Sequence, residues 1–457
     1  ARGRLPNSSG TSDGGALGAS LNFEHGYAGL SYSTYGSDYG TVAEPDVRIH
    51  MQSQRVDAAG EIRDLAGFIS KIKLRLAHTD YQHEELEGGA VGTTFRTNGD
   101  EASLEATHAR LGPLSGVFGV QLRNEAFSAQ GDEALLPDVN TRTRAAYLYE
   151  EMPLGQWKLS AGGRIEGATV DSAGGGPDDP NNPGTPRFGS AQQRSFTPKS
   201  FAAGALYKFD PAWSLATNLS HTERAPSYNE LFANGAHPAT GQYELGNADL
   251  DVEKSNGLDL QLRWKAGADS AKLGAYLTRF RNYIALYNTG VMRDTDGLID
   301  PAGTLPEAAI KAVPARFSGL EFESKHHVDT ARGDLDLRLK ADYVRASNTD
   351  TGEPLPRIAP YHLGAGFDYR LGAFNSKFDV VYAGRQNRVA DNELPTDAYT
   401  LVNAMFSYRL KSTLPNAEVF LKLNNLLNEE IRLSTSVLKD IAPLGGRSAL
   451  LGVRLDF

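Results

Sequence analysis

One pattern restricts this chain more than any other: short runs in which apolar and polar residues alternate, with charges recurring on the polar side of run after run. In the closing segment, Ala449, Leu451, Val453, Leu455 and Phe457 occupy one face and Ser448, Leu450, Gly452, Arg454 and Asp456 the other. Leu335, Leu337, Leu339, Ala341 and Tyr343 alternate with Asp334, Asp336, Arg338, Lys340 and Asp342, and Leu258, Leu260, Leu262 and Trp264 with Asp259, Gln261 and Arg263. Leu363 to Leu371 and Val402 to Leu410 repeat the pattern, with Met405 off it. Strand side chains point alternately to two faces, so each run has one dry and one wet side. A soluble sandwich also alternates, but its core cannot bury Asp, Arg and Lys on every strand without partners. A water-filled lumen can hold them. Runs of about ten residues are also what a tilted strand needs to cross a bilayer. The pattern predicts an all-β protein, a transmembrane antiparallel β-barrel whose dry face meets lipid.

Composition narrows the classes. The 457 residues exceed one ordinary soluble domain, yet no linker divides them, so residues 1–457 read as one barrel. Charged residues make up 22%, which suits strands that wet one face. No run of about eighteen apolar residues exists, which excludes transmembrane helices. A net charge of −10 argues against nucleic-acid binding, and the absence of cysteine removes disulfides and thiolate metal sites. No catalytic signature is present: neither a Gly-x-Ser-x-Gly elbow, a phosphate loop nor His-Glu-x-x-His. An enzyme is not expected.

Roughly nineteen strand candidates follow one another, joined alternately by short and long connections. Gly155-Gln156, Asp210-Pro211-Ala212 and Ala331-Arg332-Gly333 read as periplasmic turns. Asp171–Arg194, Thr222–Val252, Thr289–Pro314, Gly384–Asp397 and Asn428–Gly445 read as external loops. An odd count is unexpected in a bacterial single-chain barrel, and the opening residues read as a loop. The first strands are therefore expected to be missing. Many aromatic residues stand at strand ends, as in Tyr147, Tyr149 and Trp157, which suits interfacial girdles although a core would use the same residues.

The segment Glu223-Arg224-Ala225-Pro226-Ser227-Tyr228-Asn229-Glu230-Leu231-Phe232, running on to His237 and to Tyr243–Leu250, resembles TonB-dependent outer-membrane receptors. So do Asn424–Asn428, Ala442–Ser448 and the final Phe457. The resemblance covers essentially the whole chain. It implies a twenty-two-stranded barrel, of which about 19–20 strands are present here, filled in the family by an N-terminal plug that contacts TonB. No stretch resembles that plug, so contact with TonB is expected through a part this sequence lacks. Tyr81–Glu85, Ser115–Gln121 and Glu230–Asn247 are similar to the zinc-uptake branch. One departure stands out: where that branch often carries a His-rich external loop, Tyr39–Asp46 holds no histidine.

His237 matches a metal-binding histidine of the zinc branch, and it also lies where haem-uptake receptors carry a haem ligand. Imidazole suits zinc, copper and haem iron alike. On spacing alone it is an ordinary solvated loop histidine. His83, Glu84 and Glu85 form a second cluster, read as a polar loop after a strand ending near Tyr81. His with Glu suits zinc, and the resemblance pairs Glu85 with His237. His326-His327 is no metal pair, because neighbours in a strand point to opposite faces. Arg224 and Glu230 are expected to brace their loop. The implied function is a TonB-dependent receptor in the outer membrane of a Gram-negative bacterium. It is expected as a monomer in lipid, importing zinc as cargo with no permanently bound cofactor. The alternatives are a haem or iron-complex receptor and a passive porin.

Overall fold

A computed structural model describes residues 4–131, 134–410 and 417–455; the aromatic end at Phe457 lies outside them. The chain forms 22 strands in one sheet. They are β1 (Gly10–Phe23), β2 (Gly26–Gly40), β3 (Val47–Arg63), β4 (Ile69–Glu87), β5 (Ala90–His108), β6 (Ser115–Gly131), β7 (Val139–Leu154) and β8 (Trp157–Ser172). Next come β9 (Gln192–Phe196), β10 (Lys199–Lys208), β11 (Trp213–Arg224), a one-turn helix α1 (Tyr228–Phe232), β12 (Asn234–His237) and β13 (Gln242–Leu245). The remainder are β14 (Glu253–Ala266), β15 (Asp269–Arg293), β16 (Leu305–Thr330), β17 (Gly333–Asn348), β18 (His362–Leu371), β19 (Phe374–Ala383), β20 (Tyr399–Arg409), β21 (Ala417–Asn424) and β22 (Ser448–Leu455).

Most strands pair antiparallel with the next, which is an up-and-down wall. β9 and β10 both pair with β8, so they are one wall strand broken at Thr197-Pro198. β12 and β13 form a hairpin inside a loop. Counting β9 with β10 and omitting that hairpin leaves nineteen wall strands of the 22. Among the described residues no ladder joins β1 to β22, so the sheet has two edges. No described helix is long and apolar enough to cross a membrane.

The two faces separate as alternation requires. On β4 the outward row runs Ile72, Leu74, Leu76 and then turns polar at His78, Asp80, Gln82 and Glu84. Register sets His78 against Val56 and Asp100, so the change falls near one level across β3, β4 and β5. Below it Leu74, Leu76 and Leu104 are exposed, as lipid-facing side chains are. Crossing takes about 9–11 residues, whereas β4 and β5 have 19 residues and β15 and β16 have 25 and 26. The excess projects beyond the apolar band on the side of the long loops. This corrects two readings. His83, Glu84 and Glu85 lie within β4, not in a loop after it, and the Thr289–Pro314 connection is mostly strand, with a loop only over residues 294–304.

The enclosed core is small and sits inside the outer mouth. Phe95, Val139, Val170 and Phe196 of the wall meet Leu231, Phe232 and Leu250 of the β11–β14 connection. That connection therefore folds inward over the lumen.

Candidate functional site

The inward connection is built from local signals. Ser227 caps α1: its hydroxyl accepts from the Glu230 amide at 3.3 Å, and the Glu230 carboxylate accepts from the Ser227 amide at 2.8 Å. This reciprocal box satisfies two orphan donors. Arg224 then ties three elements, contacting Glu230 at 2.7 Å and Glu253 of β14 at 3.2 Å, while Glu253 accepts from the Ile284 amide of β15 at 2.7 Å. Beyond α1, Gly246 lies against the backbone of Leu231 and Phe232, where a Cβ would come within 2.8 Å. Only glycine permits that approach. The β12–β13 hairpin is pinned to the wall by three parallel pairs from β13 to β16, and to the β6–β7 connection by the Asn234 amide donating to Leu135 O at 2.9 Å. Tyr243, 1% exposed, donates to Asn234 at 2.9 Å and packs its ring under Arg293.

The hairpin carries His237 to the wall residues that the sequence singled out. His83 and Glu85 are two apart on β4, so both face inward; Glu84 faces out and accepts from Gln82. The His83 ring stacks on Phe95 at 4.4 Å. Burial, reinforced by the charge of His237, pushes its pKa down to about 4, so the ring is neutral at physiological pH. Its Nδ1 is buried without a hydrogen-bond partner among the described residues. Burial alone would lower His237 too, but its hydrogen bond to Glu244 and the charges of Glu244 and Glu85 outweigh this and raise it. His237 Nδ1 lies 2.7 Å from Glu244, which also accepts from Thr240 at 3.1 Å. In the neutral ring, with Nδ1 donating to Glu244, Nε2 keeps its lone pair. Glu244 is pushed up by burial and held below its ordinary value by His237. Glu85 is 4% exposed, and its charge acts on both His237 and Tyr39.

His83, Glu85 and His237 thus share one electrostatic neighbourhood, but they do not close into a tight trio. Among the described residues the only three ligand atoms from His or carboxylates within 4.8 Å of one another belong to His327, Asp329 and Asp334, at the β16–β17 turn on the opposite end of the wall. His327 is occupied there by Asp336 at 2.6 Å and Asp329 at 3.2 Å, whereas His326 faces the other way and pairs with Asp269. Two partners at the outer site escaped sequence reasoning. Glu244 lies diagonally across the hairpin from His237, a relation that only the turn Pro238–Gly241 fixes. Met51 of β3 lies directly opposite His83.

A nineteen-strand wall with an apolar outer belt, a charged inner face and an inward loop over its wide mouth describes a membrane barrel of the receptor kind. The chain belongs to the TonB dependent receptor-like β-barrel family, whose model matches residues 2–426. It is 21% identical over 447 residues to the iron-regulated outer membrane virulence protein of Vibrio cholerae, covering 89% of this chain and 63% of that protein. It is 24% identical over 264 residues to the heme/hemopexin utilization protein C of Haemophilus influenzae, covering 51% of this chain and 35% of that protein. The chain thus spans less than two thirds of the length of these curated relatives. Among solved structures, the copper transporter OprC superposes with a TM-score of 0.82 at 16% identity over 99% of this chain and 72% of that one. The Serratia marcescens hemophore receptor HasR gives 0.71 at 15% identity over 98% and 71%. These likenesses concern the fold.

Proposed function

We propose that this barrel belongs to an outer-membrane receptor that imports a metal species with energy relayed by TonB, and that His83, Glu85 and His237 receive the cargo, with zinc as the first choice. The observation that carries this reading is the shared neighbourhood of a neutral His83, whose Nδ1 has no hydrogen-bond partner among the described residues, and a Glu244-oriented His237 on the inward hairpin. Metal ligation requires deprotonated nitrogen, and an imidazole whose far nitrogen is held by a carboxylate is the usual orientation device around zinc. Because the three groups do not close tightly, they leave coordination positions for water or for ligands the cargo brings. A cargo site must also release, so an incomplete set suits transport better than a closed structural site.

A second reading is copper. Met51 faces His83 across the β3–β4 ladder, and a thioether beside imidazole favours Cu(I) over zinc. The names of the relatives keep haem in view as well.

The test is titration of purified protein with Zn(II), Cu(I) and haem, beside His83→Ala, His237→Ala and Glu85→Ala. Weakened Zn(II) binding in all three variants is expected. Equal zinc binding by native and variant proteins removes the site, and haem binding without zinc binding transfers the cargo to haem.

A further inference from the structure

On the outward surface of the wall, three arginines stand together on adjacent strands. Arg279 of β15 is directly opposite Arg316 of β16. Arg345 of β17 is opposite Ser318, one step along the same outward row as Arg316. Their in-between neighbours Phe280, Ala315, Phe317 and Ala346 pack together on the inner face, which fixes the arginines as outward. All three are exposed, and among the described residues none of their side chains forms a hydrogen bond or ion pair. A fourth guanidinium joins them from the β19–β20 loop: Arg388 donates to Ala346 O at 2.7 Å and to Ser347 Oγ at 2.6 Å, and it feels the charge of Arg345. Glu353 is the carboxylate that acts on Arg388.

This arrangement is costly for folding alone. Like charges directly opposite in an antiparallel pair weaken the ladder. On the lumen face, by contrast, Arg338 is matched with Asp368 and Asp379, and Arg164 with Glu166. A chain of net charge −10 does not lack carboxylates. What the cluster lacks is an anion from outside.

Its height on the wall identifies the source. The outward row beneath is apolar: Leu273 and Leu277 on β15, Leu320 on β16, Leu339 and Tyr343 on β17. From Asp269, where β15 leaves its short turn, to Arg279 is the span of about 9–11 residues that crosses a bilayer. The guanidinium groups therefore stand at headgroup level on the side of the long loops. We propose that Arg279, Arg316 and Arg345 form a binding site for the phosphate groups of an outer-leaflet lipid, whose acyl chains lie along Leu277, Leu320 and Tyr343. Guanidinium forks match phosphate oxygens two at a time, and the ladder holds the three side chains in fixed register.

The experiment titrates the purified protein in detergent with bisphosphorylated lipid A, with the same lipid stripped of both phosphates, and with inorganic pyrophosphate, reading retention by native mass spectrometry. Each arginine at a membrane surface is worth roughly fivefold in affinity. The variant R279Q/R316Q/R345Q is therefore expected to lose about a hundredfold for bisphosphorylated lipid A. Native protein is expected to hold the dephosphorylated lipid and pyrophosphate far more weakly. Equal retention by native and variant protein overturns the site. So does equal retention of the dephosphorylated lipid, and pyrophosphate binding as tight as lipid A overturns the lipid as occupant. If the triple variant fails to fold, as judged by heat-modifiable gel migration, R345Q alone decides, with a loss of about fivefold expected and no loss counting against the site.

Discussion

Replacing Leu231 by Ala tests whether the inward connection is a separately stable lid. Leu231 is 2% exposed and sits among Phe232, Leu250 and the wall residues of the enclosed cluster. Burying a leucine stabilises by about 1.5–3 kcal/mol, and the cavity left by Leu→Ala raises the cost to about 2–5 kcal/mol. The neighbours on one side are wall strands held by continuous ladders, so collapse into the cavity is limited. A value of about 3 kcal/mol is therefore expected, which multiplies the opening constant on the order of a hundredfold. The loss is confined because many bonds of the lid are internal: Gly246 N donates to Ala233 O at 2.7 Å and Asn247 N to Glu230 O at 2.8 Å. Its links to the wall run through other residues than Leu231: three pairs from β13 to β16, Gln242 donating to Asn288 at 3.0 Å and Arg194 of β9 donating to Leu250 O at 2.9 Å. Amide hydrogen exchange followed by mass spectrometry reads this directly. Peptides spanning residues 228–250 are expected to exchange about a hundredfold faster, while β4 and β5 peptides keep their protection. A change under fivefold refutes the packing argument, and equal loss around the wall refutes the separability of the lid.

Ser227→Ala removes half of the capping box and costs about 1 kcal/mol; protease cleavage within residues 225–252 is expected to quicken about fivefold, and an unchanged rate refutes the cap's role. Glu244→Gln frees His237 from its orienting carboxylate, so zinc affinity at neutral pH is expected to drop about ten- to a hundredfold. The same change removes what raises the His237 pKa. Protons then compete less well, and the acid loss of zinc binding moves to lower pH; calorimetric titration between about pH 5.5 and 7.5 that finds the edge unmoved contradicts this sign. Arg293→Met leaves the buried Glu307 carboxylate without its 2.7 Å partner, at a cost of about 3–5 kcal/mol, read as faster exchange at the outer end of β16. The double variant Arg293→Met/Glu307→Leu is expected to recover most of that loss, and no recovery contradicts the desolvation account. Met51→Leu separates the cargo readings: lost Cu(I) binding with zinc intact favours copper, and no effect on either metal removes Met51 from the site.

Much of the wall was legible because strand periodicity is a local property. Leu335 to Tyr343 on one side and Asp334 to Asp342 on the other mark the lipid and lumen faces without knowledge of any partner strand. The capping box at Ser227 and Glu230 is equally local, although the sequence suggested for Glu230 only a bracing contact with Arg224. Strand lengths were less legible. Above the lipid level both faces become polar, so alternation fades although the ladder continues, as in β4 from His78 to Glu87. That is why His83 and Glu85 read as loop residues. The i,i+2 relation that puts them on one face was present in the sequence all the same.

The sequence by itself determined an all-β membrane wall with charges inside and leucines outside, because each strand's amphipathicity is written in alternate residues. It also singled out His83, Glu85 and His237 through family likeness. Only the tertiary structure decided that the hairpin carrying His237 folds inward onto β4, that Glu244 orients it, and that burial and the charge of His237 keep His83 neutral. It also decided that Arg279, Arg316 and Arg345 meet on the outer surface. These depend on ladder register and on a loop returning over the lumen, where residues far apart in sequence become neighbours. No local periodicity encodes such contacts, since a shift of one residue in register would turn each side chain to the other face.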